Sequence, residues 1–132
     1  ILYSDLNSPE AFAARWTSPK RGNILVATLP DGTAIASCGY DHVDDETCEL
    51  VRVVTDERYQ GRGISKVLLR RTLAQCVKQG YQRVVLLTTD LHIAACKMYE
   101  THNFKVSRVV EKSWPTRRIV YYELILKDLV LE

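Results

Sequence analysis

The chain has 132 residues, a formal net charge of +2, 46% hydrophobic and 26% charged residues. That length fits one domain with one core. The charge is too near zero to indicate nucleic acid or an anionic membrane by itself, and no apolar run approaches the roughly 20 residues of a membrane span.

In chain order, Ser8-Pro9-Glu10 opens a short helix to about Trp16: Ser8 caps, Pro9 suits the first helical position and Glu10 faces the positive end of the dipole. A loop, TSPKRG, follows from Thr17. NILVATL from Asn23 and TAIASCGY read as strands around the turn signal Pro30-Asp31-Gly32. DHVDDET, from Asp41, is a polar connection, and CELVRVVT is the next strand, ending at Thr55. Ile64, Val67, Leu68, Leu73, Cys76 and Val77 recur at helical spacing, with Gly80 as the stop. RVVLLTT, Arg83 to Thr89, is a continuous apolar run of the kind covered on both faces. Asp90 caps a further helix through about Glu100, and FKVSRVVEKS and RRIVYYELIL close the chain as two strands around Trp114-Pro115-Thr116. The expectation is a single mixed α/β (α+β) domain with one central sheet flanked by helices.

Cys38, Cys48, Cys76 and Cys96 form no C-x-x-C pair and have no spaced His pair, so no metal site is expected. They read as small buried hydrophobes, which suits an intracellular, reducing compartment. No signal peptide is recognisable. The start at Ile1 without Met suggests a domain truncated at its N-terminus, and a membrane anchor in a longer parent protein would not be visible in this chain.

The stretch VRVVTDERYQGRGISKVLL places glycines and cations where a strand hands over to a helix. Gly61 and Gly63 permit a tight turn whose N–H groups point at a ligand, and the helix dipole adds positive potential. From Arg58 to Arg83 there are seven cations and no acidic residue, which favours a phosphate-rich ligand. The plain alternative is a strand–helix turn with a solvated basic face. The Walker pattern is absent, and Lys66 stands where a dinucleotide fingerprint would have its last glycine.

Arg58-x-x-Gly61-x-Gly63 resembles the Q/R-x-x-G-x-G/A signature of the GNAT superfamily of acyl-CoA-dependent N-acyltransferases. LLTTDLHIAACKMYETHNF resembles that family's later strand–helix motif, with Ala95, Tyr99 and Phe104 in register. The fit is nearest to the camello-like group, several of whose members carry a hydrophobic anchor. The family's first strand is not recognisable here. Asn103 replaces the glycine before Phe104, a position where Asn tolerates left-handed angles, and His92 stands where relatives often have Asn.

The resemblance implies the GNAT fold and transfer of an acetyl group from acetyl-CoA to an amine in a ternary complex. Val53 to Thr55 would pair with the pantetheine arm; Arg58 and the segment Gln60, Gly61, Arg62, Gly63, Ile64 and Ser65 would hold the pyrophosphate. A backbone N–H near Val54 would stabilise the oxyanion. Tyr99 would act as general acid towards the thiolate, a phenol of pKa near ~10 serving a thiol near ~8.5. Glu49 would be the general base through water, with Asp41 and His42 as alternatives.

The acidic stretch from Asp41 to Glu57 would attract a cationic amine if it flanked the acceptor cleft. The basic segment around Trp114 would line that cleft or meet an acidic partner. Two other readings stand beside the enzyme. One is a non-catalytic acyl-CoA-binding module on the same fold. The other is a small basic nucleic-acid module, disfavoured by the scarcity of stacking aromatics. Acceptor, acyl length and oligomeric state are not encoded legibly.

Overall fold

The computed structural model describes residues 22–114 and 116–129; the helix expected from Ser8 lies outside them. Six strands form one sheet: β1 (Gly22–Thr28), β2 (Ala34–His42), β3 (Thr47–Thr55), β4 (Arg83–Thr89), β5 (Lys105–Ser113) and β6 (Thr116–Ile125), in the order β1-β2-β3-β4-β6-β5. Every pairing is antiparallel except β3 with β4. Helix α1 (Ile64–Lys78) connects that parallel pair, and α2 (Ile93–Thr101) follows β4. The expected mixed sheet with helices is borne out.

The two helices share one face of the sheet. Leu68, Leu69, Leu73 and Cys76 of α1 and Tyr99 of α2 join one apolar cluster with Cys38, Tyr40, Cys48, Leu50, Val84, Leu86, Tyr122 and Leu124 of the strands. A bond of 3.3 Å from Arg70 Nε to His102 Nε2 ties α1 to the end of α2. Side chains alternate along a strand, so Asp41, Glu49, Val85 and Tyr121 occupy the opposite face.

Several expectations need correction. In α1 the buried stripe is Leu68, Leu69, Thr72, Leu73 and Cys76, whereas Val67 and Val77 are about half exposed. The stripe centres on Leu69 and Cys76, and a 3.6-residue period turns Val67 away from it. Thr72 is tolerated there because its hydroxyl donates to the Leu68 carbonyl at 2.8 Å.

Strand β2 runs on to His42, because Asp41 and His42 pair with Glu49 and Cys48. The polar connection is therefore shorter, and Asp44 Oδ1 closes it by accepting from the N–H groups of Glu46 and Thr47. Asp90 does not cap α2; its Oδ1 accepts from the Arg118 N–H, and His92 is the cap residue. Strand β4 is not covered on both faces: Leu87 is 53% exposed.

All four cysteines are free; Cys38, Cys48 and Cys76 are buried, while Cys96 is only partly so. Strand β5 is an edge. It is exposed almost throughout and carries Lys105, Arg108 and Lys112, charges that discourage pairing with another chain.

Candidate active site

The site begins with a separation of strands. Strands β3 and β4 pair only at Thr47–Arg83, Cys48–Val84 and Glu49–Val85. Beyond Glu49 each goes its own way: β3 stays bonded to β2 as far as Thr55, and β4 stays bonded to β6 as far as Thr89. A wedge-shaped gap opens between them, bordered on one side by the backbone of Leu50 to Thr55. Among the described residues no neighbouring strand pairs with that inner edge, so an extended ligand could add to it as a further strand would.

A bulge shapes the same edge. Ser37 faces Val54 and Gly39 faces Val51, so Arg52 and Val53 together oppose Cys38. Arg52 has φ +57°, and Ser37 Oγ donates to its carbonyl at 2.6 Å. The extra residue reverses the alternation: Cys48 and Leu50 face α1 before the bulge, and Val53 packs against the same core after it. Val54, the expected oxyanion donor, lies on this re-aimed stretch with its side chain 44% exposed.

At the mouth of the gap the chain turns into α1. Asp56 caps a single 3-10 turn, Glu57–Tyr59, and Gln60 Nε2 donates to the Thr55 carbonyl at 3.2 Å. Gly61 and Gly63 have φ of +77° and +80°, and a Cβ at either would meet nothing within 4 Å. Glycine is required there for backbone angle, not for space. Gly63 is the N-cap of α1 in the left-handed conformation, with no side-chain cap bond and no acid in the first turn. The first N–H groups of α1 are thus uncapped and the dipole is unopposed, an arrangement suited to a pyrophosphate.

The Ser65 hydroxyl hydrogen-bonds Thr55 Oγ1, fastening the end of β3 to the first turn of α1. Arg62 lies over the Tyr59 ring at 5.2 Å. The Arg58 guanidinium is turned to Asp56 at 3.2 Å, which holds the Asp56 carboxyl below its ordinary value. Arg58 therefore braces the turn, while Gln60, Gly61, Arg62, Gly63, Ile64 and Ser65 make up the glycine turn and the first residues of α1.

The proton-transfer candidates separate by position. Glu49 sits in the last β3–β4 pair, at the apex of the gap and on the face away from the helices. His42 lies at the closed end, opposite Cys48, with Nδ1 2.7 Å from the Tyr81 hydroxyl. Asp41 is opposite Glu49 and one strand farther from the gap. Among the three, Glu49 alone belongs to the last β3–β4 pair and so borders the place where the strands part. Tyr99 is buried on the helix side, its ring 5.5 Å from Phe104 and 5.9 Å from Tyr122.

Asn103 adopts φ +71°, the left-handed angle expected of it. His92 Nδ1 is 3.0 Å from Thr88 Oγ1. A separate groove of about 640 Å³ lies between α2 and the β5–β6 ribbon, lined by Cys96, Glu100, Val109 and Tyr122 among others. It contains none of the expected site residues. Among the described residues no cluster of His, Cys, Asp and Glu could hold a metal, and no helix is long and apolar enough to cross a membrane.

The bulge and the Thr55–Ser65 link had not been expected from the sequence. The one signal for the bulge is a break in alternation, with a buried arginine inside a β-branched run.

A parallel pair that parts beside a glycine-led helix defines an acyl-CoA transferase fold, and the chain belongs to the acetyltransferase (GNAT) family, whose model matches residues 2–104. Human N-acetylaspartate synthetase is 34% identical over 104 residues, covering 79% of this chain and 33% of that protein. Human N-acetyltransferase 8B is 33% identical over 76 residues, covering 54% of this chain and 34% of that one. The expected affinity with camello-like proteins is borne out. The chain spans about a third of the length of these relatives.

Among solved structures, a Staphylococcus aureus GNAT acetyltransferase superposes with TM-score 0.74 at 21% identity, covering 96% of this chain and 80% of that one. A GNAT acetyltransferase from Elizabethkingia anophelis with acetyl-CoA bound gives TM-score 0.71 at 17% identity, covering 90% and 84%. Both show the shared fold.

Proposed function

We propose that this chain transfers an acetyl group from acetyl-CoA directly to an amine within a ternary complex. The observation that carries this reading is the gap beyond Glu49–Val85, opening beside the uncapped N-terminus of α1. The pantetheine arm pairs with Val53 to Thr55, and the pyrophosphate rests on the N–H groups from Gln60 to Ser65, with Arg62 and Lys66 beside it. The acceptor then approaches from the face that carries Glu49.

In the reaction the amine lone pair forms a C–N bond at the thioester carbonyl carbon. Glu49, through a water, removes the proton that the amine must lose. The Val54 N–H meets the oxyanion. The C–S bond breaks on collapse, and the leaving thiolate takes a proton from Tyr99. Nothing supports a cysteine intermediate. Cys38 is buried, its thiol pushed up to about 11 mainly by burial, and Cys96 points its sulfur towards the Thr89 carbonyl at 3.7 Å.

The name N-acetylaspartate synthetase, borne by relatives, supports a free amino acid as acceptor. Four unpaired cysteines suit a reducing intracellular compartment. The test is thiol release from acetyl-CoA with aspartate, glutamate, asparagine, glutamine, a lysine peptide and a peptide with a free N-terminus. A free amino acid should be the best acceptor. Binding of CoA without turnover of any amine would support the non-catalytic module instead.

A further inference from the structure

Helix α2 has nine residues and carries Tyr99 in its last turn, where the final carbonyls of a helix lack partners of their own. Two side-chain bonds clamp that turn. One ties it to the sheet: the Tyr122 hydroxyl of β6 donates to Glu100 Oε2 at 3.1 Å. The other ties it to α1: Arg70 Nε donates to His102 Nε2 at 3.3 Å. In sequence Tyr99 is next to the first clamp and three residues before the second, and its carbonyl accepts the N–H groups of His102 and Phe104, each at 3.0 Å.

The bond to α1 has a defined polarity. A guanidinium only donates, so His102 Nε2 offers its lone pair and the ring proton is on Nδ1. That Nδ1 lies 2.8 Å from the carbonyl of Met98, the residue before Tyr99. Two hydrogen bonds in series therefore run from α1, through the imidazole, to the backbone beside Tyr99. His102 is only 8% exposed. A buried imidazole deprived of its partners is costly, and with both satisfied it holds one geometry. No step of the transfer described above uses either side chain.

The location gives the pair a task. Helix α1 starts at the glycine turn read above as the pyrophosphate site, and Arg70 lies about two turns along it. In that reading one helix places the cofactor and the other places the acid that protonates its sulfur. The two must keep register.

We infer that Arg70 and His102 are positioning residues for Tyr99, locking α2 to the cofactor helix so that the phenol hydroxyl meets the departing thiolate. The inference rests on the acetyl-transfer reading above and adds to it a link between the cofactor helix and the acid. Displacing a reacting group by about 1 Å can cost on the order of 10²-fold in rate. Side chains that never touch a substrate can therefore govern kcat.

The test measures kcat and KM for acetyl-CoA in Arg70→Ala, Arg70→Lys and His102→Asn, each made in the wild type and in Tyr99→Phe. The asparagine can still donate to the Met98 carbonyl but is too short to reach Arg70. With Tyr99 present, Arg70→Ala and His102→Asn should lower kcat by about 10- to 100-fold and leave KM for acetyl-CoA within about twofold. Arg70→Lys, which keeps a donor, should recover most of the rate. In Tyr99→Phe the same changes should alter kcat by less than about twofold, because the hydroxyl they position is gone. Equal losses in both backgrounds would mean a structural role and would overturn the inference, as would Arg70→Ala with wild-type kcat.

A wild type that acetylates no amine, or a Tyr99→Phe variant as fast as the wild type, would sink the acid role instead. Positioning is then read without turnover, by NMR of protein labelled with ¹³Cζ-tyrosine. The Tyr99 resonance, assigned by its loss in Tyr99→Phe, should move when CoA binds the wild type and should move less than about half as far in Arg70→Ala. Equal movement in both, or none in either, would overturn the inference.

Discussion

Tyr99 is the residue whose two duties are easiest to pull apart. Its ring is a core element, packed on Phe104 and Tyr122, and in the proposed mechanism only the hydroxyl has chemistry to perform. Tyr99→Phe keeps the ring, so stability should change by less than about 1 kcal/mol. Loss of the acid should lower kcat by about 10² to 10⁴, checked by steady-state rates alongside an unchanged affinity for acetyl-CoA. Gly63→Ala tests the cradle: with φ +80° and open space around the new Cβ, the cost is backbone strain of about 1–2 kcal/mol. Weaker binding of CoA should accompany it, with little effect on an acceptor bound independently. At this scale the sequence was legible where a residue's own angles decide the matter, as with Gly61, Gly63 and Asn103. It was silent about Arg52, whose positive φ follows from the register between β2 and β3. That register depends on contacts far along the chain.

At the scale of elements, order and type were readable because the hydrophobic period changes cleanly from strand to helix. The parting of β3 and β4 was not, since each strand reads the same whether its neighbour stays or leaves. The resemblance alone supplied the expectation of a ligand strand at Val53 to Thr55. Packing of α1 on the sheet depends on Leu69, which is fully buried beneath β2 and β3. Leu69→Ala should cost about 2–5 kcal/mol, measured by urea denaturation. The cysteines between α1 and the sheet give a pH signature. Burial raises the Cys38 thiol from 9.0 to about 11, and the contact with Cys48, with burial, raises Cys76. Between those two pH values the native state keeps the Cys38 proton that the unfolded chain releases, so stability falls as pH rises through that window. Denaturation midpoints measured from pH 8 to pH 11 should decline accordingly, and Cys38→Ala should remove part of the slope. Iodoacetamide at pH 8 should label Cys96 well before the three buried thiols.

For the molecule as a whole, the helices and the apolar cluster occupy one face of the sheet, and Asp41 and Glu49 lie on the other. In the proposed direct transfer, that division would give the cofactor and the acceptor separate approaches to one gap. The whole account depends on CoA being held between β3, β4 and the start of α1. The measurement that tests this most directly is thermal unfolding with acetyl-CoA, CoA, dephospho-CoA and NAD at matched concentrations. A ligand at about 100 times its dissociation constant stabilises by roughly 2.7 kcal/mol, a rise on the order of ten degrees for a domain of this size. The account predicts that shift for acetyl-CoA and CoA, a smaller one for dephospho-CoA through loss of a phosphate beside the basic helix, and none for NAD. Equal shifts with NAD and acetyl-CoA, or no shift with any CoA species, would contradict it.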